Sequence, residues 1–284
     1  MIQKKILITG KTSYIGRSFQ KYIEIYNQKN PEMRYEVDAI SVRGEEWKQY
    51  DFSKYDVVLH LAGIAHVDIG KGNQKELQEK YYRVNRDLTI EVANKAKLSG
   101  VKQFIFMSSI IVYGESAPVG QQKIITKDTI PSPSNFYGDS KLQAERGIQQ
   151  LEDDTFKVVI IRPPMIYGKG CKGNYAKIEK LASITPIFPK IDNQRSMLDV
   201  RYLDQYLLDL IKKEKRGIFF PQDKEYVNVS KLVQELGRKK GRKIWLVLGF
   251  QWTLKIIGRN QGRTGIIVNK VFGNLVYEKS LKNI

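Results

Sequence analysis

Cysteine is nearly missing from these 284 residues: Cys171 stands alone. That excludes a disulfide framework and a multi-cysteine metal site. Histidine is almost as scarce, with only His60 and His66, too little for a zinc site or a Ser-His-Asp relay, so no metal is expected. No apolar run, Ile244 to Phe250 included, approaches the roughly 18 residues of a membrane span. The opening Met1-Ile-Gln-Lys-Lys runs directly into a strand-like stretch instead of a secretory signal, so a cytoplasmic location is expected. Acidic residues are outnumbered, 30 against 48 Lys and Arg, for a net charge of +18. From Ile211 onward the ratio is 5 to 17, which places +12 of that charge in the last quarter. Such a tail suits nucleic acid, anionic lipid or a diphosphate-bearing substrate, or is a solvated lysine-rich surface. No helix-turn-helix, RNP or zinc-finger pattern accompanies it, so nucleic acid is not expected as a partner.

What is present is an ordinary globular balance, 42% hydrophobic and 27% charged. Through residue 168, apolar runs alternate with longer amphipathic stretches, the pattern of a parallel sheet with crossover helices. Strands are predicted at Lys5–Thr9, Tyr35–Val42, Asp56–Leu61, Phe104–Ser109 and Val158–Arg162. Helices are predicted at Ile15–Tyr26, from about Gln74 to Ser99, and from near Phe136 after the Pro131-Ser-Pro-Ser134 break. Strands apolar on both faces are covered on both faces. After Gly168, glycines, prolines and short segments replace the alternation. The expected class is therefore α/β, a Rossmann-type doubly wound parallel sheet with a smaller C-terminal substrate-binding domain. Residues 1–169 with about 196–229 form the first unit, and about 170–195 with 230–284 the second.

Three motifs follow one another in order. Thr9-Gly-Lys-Thr-Ser-Tyr-Ile-Gly16 directly follows the first strand. Gly10 permits a tight turn, Gly16 lets the helix sit close to the sheet, and the helix N-terminus offers N–H groups and partial positive charge to a diphosphate. Ser13 stands where such a spacing usually has glycine, and its hydroxyl can bond phosphate. Lys11, Tyr14 and Ile15 complete this cofactor-binding loop. Tyr137-Gly-Asp-Ser-Lys141 puts a phenol and an ammonium one helical turn apart. The ammonium favours the phenolate, so the tyrosine can exchange a proton with a substrate hydroxyl. Tyr50 and Lys54 share the spacing, but no serine-bearing strand precedes them and they read as surface. Met107-Ser-Ser-Ile-Ile-Val-Tyr-Gly114 sets Ser108 and Ser109 at the C-terminal end of a strand, where open α/β sheets place ligands. Ser109 is then positioned to bond the same substrate oxygen that Tyr137 protonates.

Together these residues resemble the extended short-chain dehydrogenase/reductase family of nucleotide-sugar epimerases, dehydratases and reductases. His60-Leu-Ala-Gly63 and Arg162-Pro-Pro-Met-Ile-Tyr-Gly168 extend the likeness over nearly the whole chain. The resemblance implies Tyr137, Lys141 and Ser109 as the catalytic set at sugar C4. It places Asp51 and Phe52 by an adenine, Leu61, Ala62 and Gly63 by the cofactor ribose and phosphates, and Lys141 on the nicotinamide ribose. Asn85 would line or brace the site, with Ser108 and Pro164 along the cofactor. Asn174 and Arg195 would grip the substrate diphosphate, an arginine offering a forked pair of donors. A homodimer is usual for such enzymes.

An NAD site usually has a carboxylate at the end of the second strand, whereas an arginine there accommodates a 2′-phosphate. Here Ser41-Val-Arg43 occupies that end and Lys11 stands in the loop, which favours NADP(H) over NAD(H). Apolar Ile110 and Ile111 after Ser109 disfavour a dehydratase. Ser41, Arg43 and Lys11 make reduction of a UDP-4-keto-6-deoxy-HexNAc in cell-surface polysaccharide precursor synthesis the favoured reading, with a UDP-hexose or UDP-HexNAc 4-epimerase as the alternative. A non-catalytic cofactor sensor of the same fold would have no need of Ser109, Tyr137 and Lys141. Finally, basic Gly237–Lys243 precedes a Trp-rich apolar stretch to Ile257. That suits an interfacial segment on an anionic membrane, with a polyprenyl-diphosphate sugar as substrate, or a helix in the core of the small domain.

Overall fold

The computed structural model describes residues 2–65, 74–260 and 262–281, which leaves His66 outside the described residues. In chain order the elements are β1 (Ile2–Thr9), α1 (Tyr14–Lys29), β2 (Arg34–Ile40), β3 (Val57–His60), α2 (Gln74–Tyr81), α3 (Leu88–Leu98) and β4 (Gln103–Met107). They continue with β5 (Ile124–Ile125), α4 (Phe136–Gln149), β6 (Lys157–Ile161), β7 (Met165–Tyr167), α5 (Asn174–Ile184), β8 (Ile187–Pro189), β9 (Met197–Asp199) and α6 (Val200–Lys212). The last are β10 (Gly217–Phe219), α7 (Val229–Lys239), β11 (Trp245–Val247), α8 (Gln251–Arg259), α9 (Arg263–Phe272) and β12 (Val276–Tyr277). β10, β6, β4, β3, β1 and β2 lie side by side in that order in one six-stranded sheet, with every pairing parallel.

Alternation along β1 explains why the sheet is covered twice. Ile6 and Ile8 face one way, onto Phe19 and Ile23 of α1 and Leu203 and Leu207 of α6. Leu7 faces the other way, into a cluster with Val92 and Ala93 of α3 and Ala144 and Ile148 of α4. Such strands must read as continuous apolar runs, as these do. The strand order reverses beside β1, the position where open α/β sheets bind ligands in a crevice at the carboxyl ends of the strands.

A third apolar cluster lies outside the sheet. Tyr175, Ala182, Phe188 and Ile191 meet Val233, Leu236, Ile244 and Phe272, with Val119 and Met197 at its margin. β8 pairs with β11, and β12 pairs with β5. The chain after Ile244 is not a core helix. Ile244 is buried, but Trp245–Val247 form a strand beside β8, and Gly249, at φ +96°, turns the chain before α8. The helix expected over 74–99 is also more than one regular helix. Between α2 and α3, residues Tyr82–Asp87 widen into a π turn, in which the Leu88 N–H reaches back to the Arg83 carbonyl. No helix among the described residues is long and apolar enough to cross a membrane.

Candidate active site

The crevice begins at the turn after β1. Gly10 and Lys11 donate their backbone N–H groups to the Ile40 carbonyl at 2.9 and 3.0 Å, which ties this turn to the end of β2. Gly10 has φ +119°, and a Cβ there would lie 3.0 Å from the Ala62 nitrogen, so backbone meets backbone and a side chain is excluded. Ser13 caps α1, its hydroxyl accepting from the Gly16 N–H at 3.3 Å. Gly16 sits close over Ile8 and Leu61, and Ile15 packs on the sheet. The first turn of α1 thus starts beside the Leu61–Ala62 backbone, and its free N–H groups with their partial positive charge fit a dinucleotide diphosphate. Ser41 and Arg43 are exposed just beyond β2, beside Lys11. The nearest acid in β2, Asp38, accepts a 2.7 Å hydrogen bond from Tyr55.

Deeper in, three elements meet. Asn85, fully buried in the π turn, accepts from the Ile64 N–H at 2.8 Å and donates to the Ile64 carbonyl and to Ser140 of α4. It sits beside Gly63 and the Lys141 ammonium, both within reach of the Cβ that Gly63 lacks. Lys141, 5% exposed, donates to the Met107 carbonyl at the end of β4 at 2.9 Å, and its ammonium lies 4.5 Å from the Phe106 ring centre. Ser109, at the tip of β4, lies beside the Tyr137 hydroxyl, and the Tyr81 ring lies 6.1 Å from that of Tyr137. Phenol, ammonium and hydroxyl are therefore gathered at the mouth of one crevice.

Electrostatics here differ from the simple expectation. Burial pushes the Tyr137 hydroxyl up to about 12, opposed by the Ser109 hydroxyl and reinforced by Tyr81. Burial pushes Lys141 down to about 8 from an ordinary 10.5, against the pull of Glu145. Desolvation therefore dominates both groups. Near neutral pH the resting pair is a protonated phenol and a charged amine.

His60 braces this floor. Its Nδ1 lies 2.7 Å from the Thr9 hydroxyl and its Nε2 3.1 Å from that of Thr89. The single proton of Thr89 goes to the Asn85 carbonyl at 2.8 Å, so Nε2 of His60 carries the proton and Nδ1 accepts from Thr9. Burial, aided by the Lys141 charge, drives His60 down to about 3 and keeps it neutral. Behind Ser108 lies a network that the sequence did not announce. The Ser108 hydroxyl bonds Glu145, which receives Arg162 through Nη2 at 2.5 Å, while Nη1 of Arg162 donates to Tyr113 at 2.6 Å. Glu145 stands one further turn along the 137, 141 series of α4, a spacing that could have revealed it.

Other residues singled out in the sequence sit apart from this centre. The Asp51 side chain is on the surface, bonded to Ser53, and Phe52 is packed into the core beside Trp47. The Tyr14 hydroxyl is buried without a partner, close to where a Cβ on Gly168 would be, and desolvation raises it to about 12. Pro164 is buried just after β6. Asn174 opens α5. Arg195 donates to the Lys270 carbonyl at 2.6 Å and is lowered to about 10 by burial, with Glu115 opposing.

Comparison with known proteins bears on the family and the fold. Residues 6–185 match the model of the NAD dependent epimerase/dehydratase family. The chain is 31% identical to a UDP-glucose 4-epimerase of Vibrio cholerae, over 96% of this chain and 86% of that protein. It is 27% identical to an N-acetyl-alpha-D-glucosaminyl-diphospho-ditrans,octacis-undecaprenol 4-epimerase of Escherichia coli O157:H7, over 84% and 73%. Among solved structures, a human epimerase family protein with NADPH shares the fold at a TM-score of 0.71, with 15% identity and coverage of 97% and 91%.

Proposed function

The chain belongs to the NAD dependent epimerase/dehydratase family, within the extended short-chain dehydrogenases/reductases, and from that premise we propose that it inverts the C4 configuration of a UDP-linked hexose or N-acetylhexosamine. The observation that carries this reading is the meeting of Tyr137, Ser109 and Lys141 at the mouth of the crevice beside the Gly10 turn. A nicotinamide cofactor, held by the Gly10 turn and Lys141, would supply reversible hydride acceptance at C4.

The chain's own residues supply the rest. Gly10, Ser13 and the first turn of α1 hold the diphosphate, with Tyr14, Ile15 and Gly16 shaping the helix start. Leu61, Ala62 and Gly63 lie beside the diphosphate, and Asn85 fixes that segment through Ile64. Lys141 holds a ribose hydroxyl and its charge eases the proton off Tyr137. Ser109 and Tyr137 hold the C4 oxygen, and the phenol, protonated at rest, takes up and gives back the hydroxyl proton. Residues 170–195 and 230–284 are the lobe that grips the nucleotide, with Asn174 and Arg195 toward the diphosphate.

One observation favours a second reading, a 4-ketosugar reductase using NADP(H). The end of β2 offers Ser41 and Arg43 beside Lys11, and its nearest acid is bonded to Tyr55. The Escherichia coli relative adds a variant of the first reading, with the sugar carried on a polyprenyl diphosphate. One preparation separates these. The purified protein is analysed for bound cofactor and then incubated with UDP-glucose and UDP-N-acetylglucosamine without added NADPH, with C4 followed by NMR. Bound NAD and interconversion are expected, and Tyr137→Phe should slow turnover roughly 10²- to 10⁴-fold. Turnover only of a 4-keto sugar, with stoichiometric consumption of NADPH, would overturn the epimerase reading.

A further inference from the structure

We propose that the outer face built by β11, α8 and α9 is a docking surface for an anionic phospholipid bilayer. Half of the large hydrophobic side chains that the described residues expose fall between Trp245 and Ile267. Leu248 is 72% exposed, Trp252 65% and Ile267 61%, with Ile256 and Ile266 about as open. Ile187, itself exposed, lies beside Trp245 through the β8–β11 pairing and extends the face. Scattered single apolar residues need no explanation, but so many exposed within one stretch of chain, on two helices packed together, mark a contact surface.

The helices carrying the patch are held firmly from behind. Leu254, Val268 and Val271 pack inward on the third cluster, and Asn269 of α9 donates to the Gly258 carbonyl of α8 at 2.7 Å. Both helices are therefore apolar on two sides, one covered by the lobe and one left open. The outward isoleucines and tryptophans take no part in the lobe's own core.

Charge identifies the occupant. Between Leu236 and Tyr277 there is no Asp or Glu, while nine Lys and Arg fall in the same span. Arg238 to Lys243 cluster immediately before the patch, all of their basic side chains exposed. The Lys243 ammonium lies 3.9 Å from the Trp245 ring centre, so an aromatic anchor and a cation are presented together. Tryptophans at the boundary, aliphatic side chains between them and a basic border match the headgroup and upper acyl layer of an anionic leaflet. A second copy on this face would set two basic borders against each other, which like-charge repulsion opposes. This inference is independent of the catalytic reading, because binding is read without turnover.

The test uses the full chain and vesicles of phosphatidylcholine, with or without phosphatidylglycerol. At low salt the protein should float with the anionic vesicles about tenfold more than with the neutral ones, and the excess should fall as salt rises. Of the three tryptophans, Trp47 is buried, so a blue shift of emission on adding vesicles reports Trp245 and Trp252. A Trp245→Ser/Trp252→Ser variant should melt like the parent and lose the flotation, and Ile256→Ser/Ile267→Ser should do the same. The proposal is overturned if the parent stays in solution at low salt, or if both folded double variants float undiminished. It is equally overturned if light scattering shows a dimer that the tryptophan variant dissociates while vesicles remain unbound.

Discussion

Replacing Lys141 with methionine is expected to stabilise the protein while abolishing turnover. The side chain is 5% exposed, and burial lowers its ammonium from an ordinary 10.5 to about 8. At about 1.4 kcal/mol per unit, holding that charge inside the folded chain costs roughly 3 kcal/mol relative to the unfolded one. Below about pH 8 both states keep the proton and the whole cost is present. Between 8 and 10.5 the folded state releases its proton first, and the cost fades as pH rises. Methionine fills the same space without charge, but loses the bond to the Met107 carbonyl and the contact over Phe106. Those losses, roughly 1–2 kcal/mol together, apply at every pH. A net gain of about 1–2 kcal/mol, a few degrees in Tm, should therefore appear near pH 7. It should shrink steadily toward about pH 10 and then reverse. Parallel thermal melts of parent and variant across that range read the slope directly. A difference that stays flat with pH refutes the reasoning, whatever its sign.

Asp204 invites the opposite pH dependence. It is 2% exposed, one carboxylate oxygen has no partner, and burial raises it to about 7 with Ser18 opposing. Its cost is absent below the unfolded value near 4, grows as pH rises toward 7 and is constant above. Asp204→Asn should therefore raise Tm at about pH 8 by several degrees and hardly at all near pH 4, as read by melts at both. Glu145→Gln leaves Arg162 buried without its counter-charge and should lower stability by roughly 3–5 kcal/mol, measured from the denaturant midpoint. An unchanged midpoint would show that the pair is not needed.

The central sheet was legible because its strands are buried on both faces and leave unbroken apolar runs, and the glycine turn because backbone crowding at Ala62 admits no side chain. That Tyr137, Lys141 and Ser109 lie close together follows from their spacings, one helical turn on α4 and the end of β4. What escaped was whatever depends on tertiary context. Tyr82 to Asp87 read as ordinary helix, and the widening there is stabilised by His60, Thr89 and the Ile64 backbone, distant in sequence. Nothing in the sequence marks Glu145 on a helix and Arg162 at a strand end as a pair, because only the fold buries them against each other. Phe52, expected beside an adenine, has its ring among core aromatics, since an aromatic in a loop says nothing about which way it turns. After Ile244 the expected core helix is instead a strand, a turn at Gly249 and a separate helix, a break that depends on the pairing of Trp245–Val247 with β8 and is not visible in the local pattern.

The π turn means that part of this crevice is encoded by chain length. A ring closed from Leu88 to Arg83 holds one residue more than an α-helical ring. Deleting a single residue between Tyr82 and Asp87 would let α2 and α3 run together as one straight rod, with Val92, Ala93 and Ala96 still on the sheet. The bow that carries Asn85 onto the Ile64 backbone would be gone. A chain could then keep every catalytic letter and still lose the floor beneath its lysine, so a one-residue gap at this point in a relative is a functional difference, not alignment noise.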